Sequence, residues 1–332
     1  MVEALRKSDF DSQHGSDFAP LNRAYQRVFK SGQLTLGLVV PIENYGNAAV
    51  PGLEAHLQRV QLAEALGFAS VWLRDVPFNV PSFGDAGQIF DPFVYLGALA
   101  LNTSSIALGV ASVVLPARHP AHVAKAAHSA DVLSEGRVLL GIASGDRPEE
   151  FPALGLSYSD RAERFRAAYN YLRDVAAPYP KFSGYYGHSD GQVDLLPKPY
   201  GERLPLMITG SSQQAPDWIA ANGDGWMTYP RSAIQQQSLL ARYREDVVQA
   251  GLAPKPTMEP FYLDLHPDAD AAPTPIHLGF RLGINKLRDY LSLRQQIGVN
   301  HIALNLRFNQ GNVEETLNTI AESVLPHFST QE

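Results

Sequence analysis

Residues 106–147 read IALGVASVVLPARHPAHVAKAAHSADVLSEGRVLLGIASGDR, and this stretch decides the fold. Two apolar runs, Ile106–Leu115 and Val138–Ala143, enclose a predicted helix, Pro120–Leu133. The runs are apolar throughout rather than alternating, which indicates strands that are buried on both faces. A strand, a helix and a second strand of this kind predict a unit of parallel sheet.

The same succession of buried strand and helix repeats along the chain. Eight apolar runs are predicted as strands: Leu34–Val40, Ala69–Leu73, Ile106–Leu115, Val138–Ala143, Leu206–Thr209, Asp224–Thr228, Phe261–Leu265 and His301–Leu306. Eight units without a shift in composition predict an α/β fold, a closed (β/α)8 TIM barrel with insertions, whose chemistry lies at the carboxyl ends of the strands. We expect one domain over residues 34–330, preceded by a polar, irregular N-terminal arm over residues 1–33.

The composition excludes several classes of function. The 332 residues include no cysteine, so disulfides, thiolate nucleophiles, cysteine-bound zinc and iron–sulfur clusters are excluded. The formal net charge is −7 and the basic residues are scattered, which disfavours nucleic acid or an anionic membrane as a partner. No apolar signal core and no run of about 18 apolar residues occurs, so we expect a soluble cytoplasmic protein.

Two loops at predicted strand ends carry candidate anion-binding groups. Gly210-Ser211-Ser212-Gln213 follows a buried strand and precedes a helix, so its hydroxyls and free N–H groups suit an anion as well as ordinary helix capping. The loop from Gly141 to Gly145 has neither the GxGxxG spacing nor the Gly-Lys-Ser/Thr ending of phosphate-binding motifs. From spacing alone, this second loop is explained as a tight turn between a strand and a helix.

Asp75 ends the second predicted strand, where we expect its carboxylate to point into the mouth of the barrel. It is the candidate catalytic residue, as a general base or as a partner of a bound ring N–H. A salt bridge to Arg74 or to another arginine of the mouth is the alternative. The histidines lack the spacing of a metal site, so we expect no bound metal. Aromatic residues near the strand ends, including Tyr45 and Tyr229, suit a planar ligand or the core.

Several stretches together resemble the bacterial luciferase-like flavin monooxygenases. They are AEALGFASVWLRD (63–75), the block 106–155 with its VLPARHP, LSEGR and GIASGDRPEEFPALG segments, the DRAERF helix, LLPKP (195–199) and PLMITGSSQQAPDWIAANGDGW (205–226). The resemblance covers nearly the whole chain from Leu34 onward. It implies a (β/α)8 barrel that binds FMN, or reduced FMN supplied by a separate reductase.

Matched residue by residue, the resemblance implies a set of cofactor-binding positions. They are Ala111, Ser112, Ser144, Gly145, Asp146, Gly210, Ser211, Ser212 and Tyr229. Residues 144–146 and 210–212 match two loops at the phosphate end of the flavin. Many family members have a basic residue at the position of Ser144, so this departure implies either weaker phosphate binding or a transfer of that role to Arg147. Ala111-Ser112 matches a non-prolyl cis peptide under the ring, and Tyr229 matches a position at the ring edge.

One departure from the family pattern concerns proton transfer. Asp75 matches the acidic residue at the end of strand two, but Val76 replaces the histidine that follows it in luciferases. Light emission from a long-chain aldehyde is therefore not expected, and another base must be considered among His119, His266 and His277. Substrate contacts are expected from Tyr45 and from a polar loop over residues 264–281, through His277 and Arg281.

The resemblance leaves three hypotheses about function. The first is a non-luminescent monooxygenase that uses reduced FMN and oxygen on a small organic substrate. The second is a deazaflavin-dependent oxidoreductase that transfers a hydride without oxygen. The third is a non-catalytic flavin-binding protein, which the missing histidine keeps open. A flavin reductase and a second copy of the chain, in a homodimer, are the expected protein partners.

Overall fold

The computed structural model describes residues 18–46, 50–83 and 89–328. Its strands are β1 (Thr35–Val39), β2 (Ser70–Leu73), β3 (Ala107–Val114), β4 (Val138–Ala143), β5 (Lys181–Gly184), β6 (Gly187–Asp190), β7 (Leu206–Thr209), β8 (Gly225–Met227), β9 (Thr257–Leu265), β10 (Thr274–Ile276), β11 (Gly279–Leu282) and β12 (His301–Asn305). Its helices are α1 (Arg23–Val28), α2 (His56–Ala65), α3 (Pro92–Asn102), α4 (Pro120–Leu133), α5 (Glu150–Ala153), α6 (Arg161–Asp174), α7 (Pro216–Asn222), α8 (Ala233–Gln249), α9 (Ile284–Gln296) and α10 (Val313–Ser323).

Eight of these strands close into a barrel. Their order around it is β1-β2-β3-β4-β7-β8-β9-β12, and β12 pairs with β1 to complete the circle. Every neighbouring pair is parallel. Each predicted run overlaps one barrel strand, so the predicted α/β TIM barrel is confirmed.

Successive residues of a barrel strand point alternately into the barrel and out towards the helices. In β2, Val71 and Leu73 join the outer core, whereas Trp72 joins the interior cluster. Glycines make room for the large interior side chains. A Cβ at Gly109 would overlap the Trp72 ring, and one at Gly141 would stand 2.8 Å from the Met227 Cε. The interior is therefore a packed core and not a channel.

Helix α1 closes the amino-terminal end of the barrel. Its Ala24, Tyr25 and Val28 are buried in the interior cluster. The Ala24 N–H donates to the Gly136 carbonyl at 2.9 Å, and the Tyr25 hydroxyl donates to the Asp224 carbonyl at 2.6 Å. Both carbonyls lie just before a barrel strand, so α1 covers the end opposite to the candidate site.

The expectation of irregular structure over residues 1–33 is wrong for residues 23–28, which form a helix. This helix is only six residues long, too short for a periodic apolar pattern to reveal it. The rest of the predicted arm from residue 1 to residue 17 lies outside the described residues.

Two antiparallel hairpins interrupt the barrel repeat. Strands β5 and β6 pair between α6 and β7, and strands β10 and β11 pair after β9. Strand β11 also lies parallel to β9 along residues 279–282. The loop predicted over residues 264–281 therefore contains regular structure, with His277 in the hairpin turn and Arg281 on a strand. Within the three described ranges, no helix has the length and apolar character needed to cross a membrane.

Candidate active site

Small side chains form a floor inside the barrel near the carboxyl ends of the strands. Ala111 and Ser112 of β3, Ala143 of β4 and Thr209 of β7 are partly exposed, whereas most barrel residues are buried. Thr209 donates its hydroxyl proton to the Met227 sulfur at 3.2 Å and is also hydrogen-bonded to the Ser112 hydroxyl. The floor therefore presents two linked hydroxyls and a flat surface of small side chains to the mouth of the barrel.

A β-bulge places two consecutive residues of β3 on this floor. The register between β3 and β4 shifts between Val110 and Val113, and the Ala111–Ser112 peptide bond is cis. In a regular strand, alternation would turn only one of the two residues inward. The cis bond that the resemblance implied is thus present at this position, and contact of these residues with a cofactor stays a prediction.

The loop after β7 folds against the strand next to it. Gly210 has φ +56°, a backbone conformation that favours glycine. Its N–H donates to the Met227 carbonyl at 2.8 Å, and its carbonyl accepts the Trp226 indole N–H at 2.7 Å. A Cβ at Gly210 would stand 3.6 Å from the Tyr229 ring. The structure therefore brings together Gly210 and Tyr229, which the resemblance had placed at opposite ends of a flavin.

The two serines of this loop have different surroundings. Ser212 is 6% exposed, and its hydroxyl donates to the Thr209 carbonyl at 2.8 Å. Ser211 is exposed, and its oxygen accepts a long 3.4 Å hydrogen bond from the Gln213 N–H. The Ser212 hydroxyl is thus committed to the backbone. Of the two predicted hydroxyls, Ser211 is the one that faces solvent and is open to a ligand.

The loop after β4 lies beside the loop after β7, because β4 and β7 are neighbours in the barrel. Ser144 is 4% exposed and Asp146 is exposed. Gly145 has φ +86°, and a Cβ there would stand 2.9 Å from the Val114 side chain and 3.0 Å from the Phe151 ring. Only glycine meets both the backbone and the packing requirements at position 145. The predicted loop is therefore a tight turn that presents Asp146 at the rim.

At the end of β2 the structure corrects the expected direction of Asp75. The Asp75 carboxylate accepts two hydrogen bonds from Arg118, at 3.1 and 2.7 Å, and one from the Val114 N–H at 3.2 Å. Asp75 follows Val71 and Leu73, which face outward from β2, and it is 3% exposed. The expectation that it points into the mouth is wrong, and the salt-bridge alternative is present with Arg118 as its partner. Arg74 occupies the inward position of the pair.

Arg74 is a site residue that motif reasoning missed. Period-2 alternation could have found it, since Ser70 and Trp72 face inward and Arg74 follows them. Burial raises the pKa of the Tyr229 phenol; the Asp146 charge raises it further, and the positive charges of Arg74 and Arg147 oppose this effect. Tyr229 therefore stays protonated near neutral pH. The Arg147 guanidinium also stacks on the Phe83 ring at 4.3 Å.

The predicted substrate residues Tyr45 and His277 lie along one chain of aromatic contacts. Arg307, at the end of β12, lies over the Tyr45 ring at 4.8 Å and over the Phe308 ring at 5.3 Å. Phe308 contacts Tyr262 at 5.5 Å, and Tyr262 contacts His277 at 5.3 Å between ring centres. Tyr262, Arg307 and Phe308 lie outside any recognisable motif, so the sequence gives no signal for them.

Arg281, the third predicted substrate residue, faces Asp264 at 3.5 Å. Both oxygens of Asp264 also accept hydrogen bonds from Gln310, at 2.9 and 3.0 Å. Of the alternative bases, His119 caps α4 by accepting the Ala121 N–H, and the ring nitrogen of His266 accepts the Asp268 N–H. Neither ring is presented to the floor by these contacts.

The arrangement fits the ring and phosphate of a flavin. The floor consists of small side chains, and two neighbouring turns of positive φ border it. One turn lies at residues 144–146 and the other at residues 210–213. Backbone N–H groups in such turns bind anions. Among the described residues, no three His, Asp or Glu side chains converge in a way that could hold a metal ion.

Two curated relatives of this chain are named as F420-dependent enzymes. A segment of 199 residues, 58% of this chain, is 31% identical to an F420-dependent hydroxymycolic acid dehydrogenase of Mycobacterium tuberculosis and covers 54% of it. A segment of 222 residues, 64% of the chain, is 28% identical to an F420-dependent glucose-6-phosphate dehydrogenase of Microbacterium testaceum and covers 64% of it. The chain thus spans less than two thirds of the length of these curated relatives.

The fold is shared with solved oxidoreductases. The monooxygenase RslO1 from Streptomyces bottropensis superposes with a TM-score of 0.76 at 20% identity, over 89% of this chain and 100% of that one. An F420-dependent secondary alcohol dehydrogenase superposes with a TM-score of 0.74 at 19% identity, over 90% and 100%. The sequence profile of the luciferase-like monooxygenases matches residues 34–272, which is most of the barrel. The chain therefore belongs to the luciferase-like monooxygenase family, whose members are flavin- or F420-dependent oxidoreductases.

Proposed function

We propose that this chain is an FMN-dependent monooxygenase that acts on a small organic substrate at the carboxyl-terminal mouth of the barrel. The observation that carries the proposal is the small-residue floor between two anion-binding turns. The turn at residues 144–146 follows β4, the turn at residues 210–213 follows β7, and these two strands are neighbours in the barrel. A ring on the floor would then place its phosphate between the two turns.

The charge of one cleft beside the loop after β7 is our reason for preferring FMN to coenzyme F420. F420 carries several carboxylates in a glutamate tail beyond its phosphate, and such a tail favours a basic channel. The cleft of about 410 Å³ beside the loop after β7 contains one guanidinium, Arg166, and one carboxylate, Glu163. Arg166 is already bonded to the Gln214 side chain at 2.9 Å and stacks on Trp218. This cleft therefore offers no excess positive charge to a tail.

Reduced FMN would supply the electrons for oxygen activation, and the chain would bind, orient and shield it. Ser112 and Thr209 would support one face of the ring from the floor. The protonated Tyr229 hydroxyl would donate a hydrogen bond at the ring edge, and Arg74 would balance negative charge there. The Ser211 hydroxyl and the N–H groups of its turn would hold the phosphate.

F420-dependent hydride transfer is the second candidate, since two curated relatives at 28–31% identity are named as F420-dependent enzymes. In that case the same floor would seat the deazaflavin, and oxygen would take no part. A flavin reductase that supplies reduced FMN remains a prediction for the first candidate, and a homodimer remains a prediction for both.

Titration of the purified chain with FMN, riboflavin and F420, followed by flavin fluorescence, tests the proposal. FMN should bind at least about tenfold more tightly than riboflavin, because only FMN fills the anion-binding turns. It should also bind more tightly than F420. Tighter binding of F420, with substrate-dependent change of its absorbance under argon, would replace the first candidate with the second. Equal affinity for FMN and riboflavin would contradict the phosphate assignment.

A further inference from the structure

A buried charged residue lies behind the loop that carries Tyr229. Glu259 of β9 follows the interior residue Met258 and faces outward, and it is 1% exposed. Arg294 of α9 is 3% exposed, and its Nε lies 3.4 Å from a Glu259 carboxylate oxygen. The positive charge of Arg294 and the Gln236 side chain both favour the ionised form of this carboxylate. Glu259 is thus held mainly by the charge of Arg294.

Arg294 connects this carboxylate to the loop between β8 and α8. Its Nη2 donates to the Arg231 carbonyl at 2.6 Å, and its Nε donates to the Tyr290 hydroxyl at 2.9 Å. The Arg231 side chain in turn donates to the Tyr229 carbonyl at 2.9 Å. Three contacts therefore lead from Glu259 through Arg294 and Arg231 to the backbone of Tyr229.

A second contact fixes the same loop from the side of α8. Gln236 is fully buried, and its amide donates to the Thr228 hydroxyl at 2.6 Å. The Arg231 Nη1 lies 3.5 Å from the side-chain amide oxygen of Gln236, Oε1. Tyr229 is therefore bordered on both sides by residues whose placement depends on buried polar groups. A polar network of this kind is worth more when every member keeps its charge and its partner.

Burial raises the pKa of Glu259 to about 7, against the opposing effect of the Arg294 charge and then of Arg231. The titratable groups that face this carboxyl are Arg294 and Tyr290 from α9 and Arg231 from the β8–α8 loop. Ionised Glu259 attracts Arg294, whereas neutral Glu259 does not. The charge of Glu259 therefore changes within the neutral pH range. Glu259 contacts Arg294, which connects α9 to the Tyr229 backbone through Arg231.

We propose that Glu259 and Arg294 are positioning residues for Tyr229, and that ionised Glu259 holds Arg294 against the Arg231 carbonyl. When Glu259 is neutral, Arg294 is held less firmly and the loop at residues 228–232 loosens. The loop would then be ordered above neutral pH and more mobile below it. The consequence for ligand binding rests on the proposed function, because it requires Tyr229 to contact the flavin.

Hydrogen exchange of the flavin-free protein tests the positioning step without any ligand. The N–H groups of Thr228, Gln235 and Gln236 are hydrogen-bonded to Met258 and Ser232, so a peptide over residues 226–240 reports on the loop. Protection factors, corrected for the intrinsic pH dependence of exchange, should rise about fivefold to tenfold from pH 6 to pH 8. The midpoint should lie near pH 7.

The Glu259→Gln variant keeps the shape of the side chain and removes its charge. It should show the low protection of the acidic wild-type protein at both pH values. Glu245→Gln, an exposed change of the same kind on α8, should keep the wild-type profile. An unchanged rise with pH in Glu259→Gln overturns the proposal. If that variant does not fold, the wild-type profile decides, since a flat profile between pH 6 and pH 8 also overturns it.

FMN titration at the same pH values separates this inference from the proposed function. FMN affinity of the wild-type protein should rise by a similar factor from pH 6 to pH 8, and the affinity of Glu259→Gln should not change. If exchange follows Glu259 but no flavin binds, the positioning role stands and the proposed function fails. If flavin binds with the same affinity in both proteins at both pH values while exchange is flat, the positioning role fails alone.

Discussion

Arg118 holds Asp75 through two hydrogen bonds to its two carboxylate oxygens, at 3.1 and 2.7 Å. The same guanidinium donates to Asp91 at 2.8 Å, and Asp91 caps α3 by accepting the N–H groups of its first turn. One side chain therefore joins the end of β2 to the start of α3. Because Asp75 is buried and both of its oxygens pair with Arg118, its charge stabilises the rim of the candidate site.

Asp75→Asn should lower the free energy of unfolding by about 2–4 kcal/mol, because Arg118 then loses the buried partner of its ion pair. Urea denaturation measures the change. Asp91→Asn is the matched control: its side chain is 40% exposed and asparagine still caps a helix, so the cost should stay below about 1 kcal/mol. Unchanged stability of Asp75→Asn together with lost turnover would instead restore the proton-transfer role expected from the sequence.

The two serines of the loop after β7 should respond differently to removal of the hydroxyl. Ser211→Ala should weaken FMN binding about fivefold to tenfold with little change in stability, because this hydroxyl faces solvent. Ser212→Ala should lower the unfolding free energy by about 1 kcal/mol, because it leaves the Thr209 carbonyl without its donor. Flavin titration and urea denaturation of both variants check the pair. A reversed pattern would assign the phosphate to Ser212.

Ser144→Ala tests the other half of the phosphate site, which the sequence resemblance placed at residues 144–146. Weaker FMN binding by a few-fold is the expected result if the hydroxyl reaches the phosphate. The comparison is with Ser157→Ala, an exposed serine that bonds only its neighbour Ser159. Equal FMN affinity in Ser144→Ala, Ser157→Ala and the wild-type protein would leave this loop as a turn without a ligand contact.

The barrel could be predicted from the sequence because burial on both faces makes each strand a continuous apolar run. The same property hides the direction of individual side chains, since an apolar run does not say which residues face inward. Asp75 was therefore placed in the mouth, although counting from Trp72 turns Arg74 inward and Asp75 outward. Alternation within the strand, added to the run itself, would have corrected this.

Other features could not have been predicted because they depend on contacts between distant elements. Glu259 is one of two charges within TMEPFYLDL, and its pKa is raised by burial in the fold, against the effect of Arg294, which lies 35 positions later in the chain. The aromatic chain from Tyr45 to His277 passes through Phe308 and Tyr262, on three separate elements. The resemblance located the Ala111–Ser112 cis bond because matched motifs preserve position along a strand.

Two glycine substitutions should shift stability in opposite directions. Gly109→Ala places a Cβ into the Trp72 ring inside the packed barrel, so it should cost about 1–3 kcal/mol. Gly97→Ala lies within α3 with no atom within 4 Å of the new Cβ, so it should stabilise the fold by about 0.5–1 kcal/mol. Thermal and urea denaturation measure both. If Gly97→Ala also lost stability, the surface of α3 around residue 97 would be in contact with other atoms.

His301 fills the barrel interior as a neutral ring. The Trp72 indole donates to its Nε2 at 2.9 Å, so the ring proton is on Nδ1, which lies 2.7 Å from the Thr35 hydroxyl oxygen. The Thr35 hydroxyl in turn donates a hydrogen bond to the Val28 carbonyl at 2.6 Å. Burial lowers the pKa of His301 to about 3. The Ser70 hydroxyl also lies 3.0 Å from Nε2, so both ring nitrogens have hydrogen-bond partners while the ring is neutral.

This depressed pKa makes stability depend on pH in a defined direction. Between about pH 3 and pH 6.5 the unfolded chain binds a proton at His301 that the folded chain refuses, so the unfolding free energy falls as the pH is lowered. Each pH unit lowers the unfolding free energy by up to about 1.4 kcal/mol through this residue.

His301→Gln should therefore reduce the slope of unfolding free energy against pH by about that amount in this window. His128, whose pKa burial lowers to about 4, contributes a slope of the same sign over a narrower window, from about pH 4 to about pH 6.5. Urea denaturation at several pH values measures these slopes, with His122→Gln, an exposed histidine of α4, as the control that should keep the wild-type slope. An unchanged slope in His301→Gln would show that His301 is protonated to the same extent in the folded and unfolded chains.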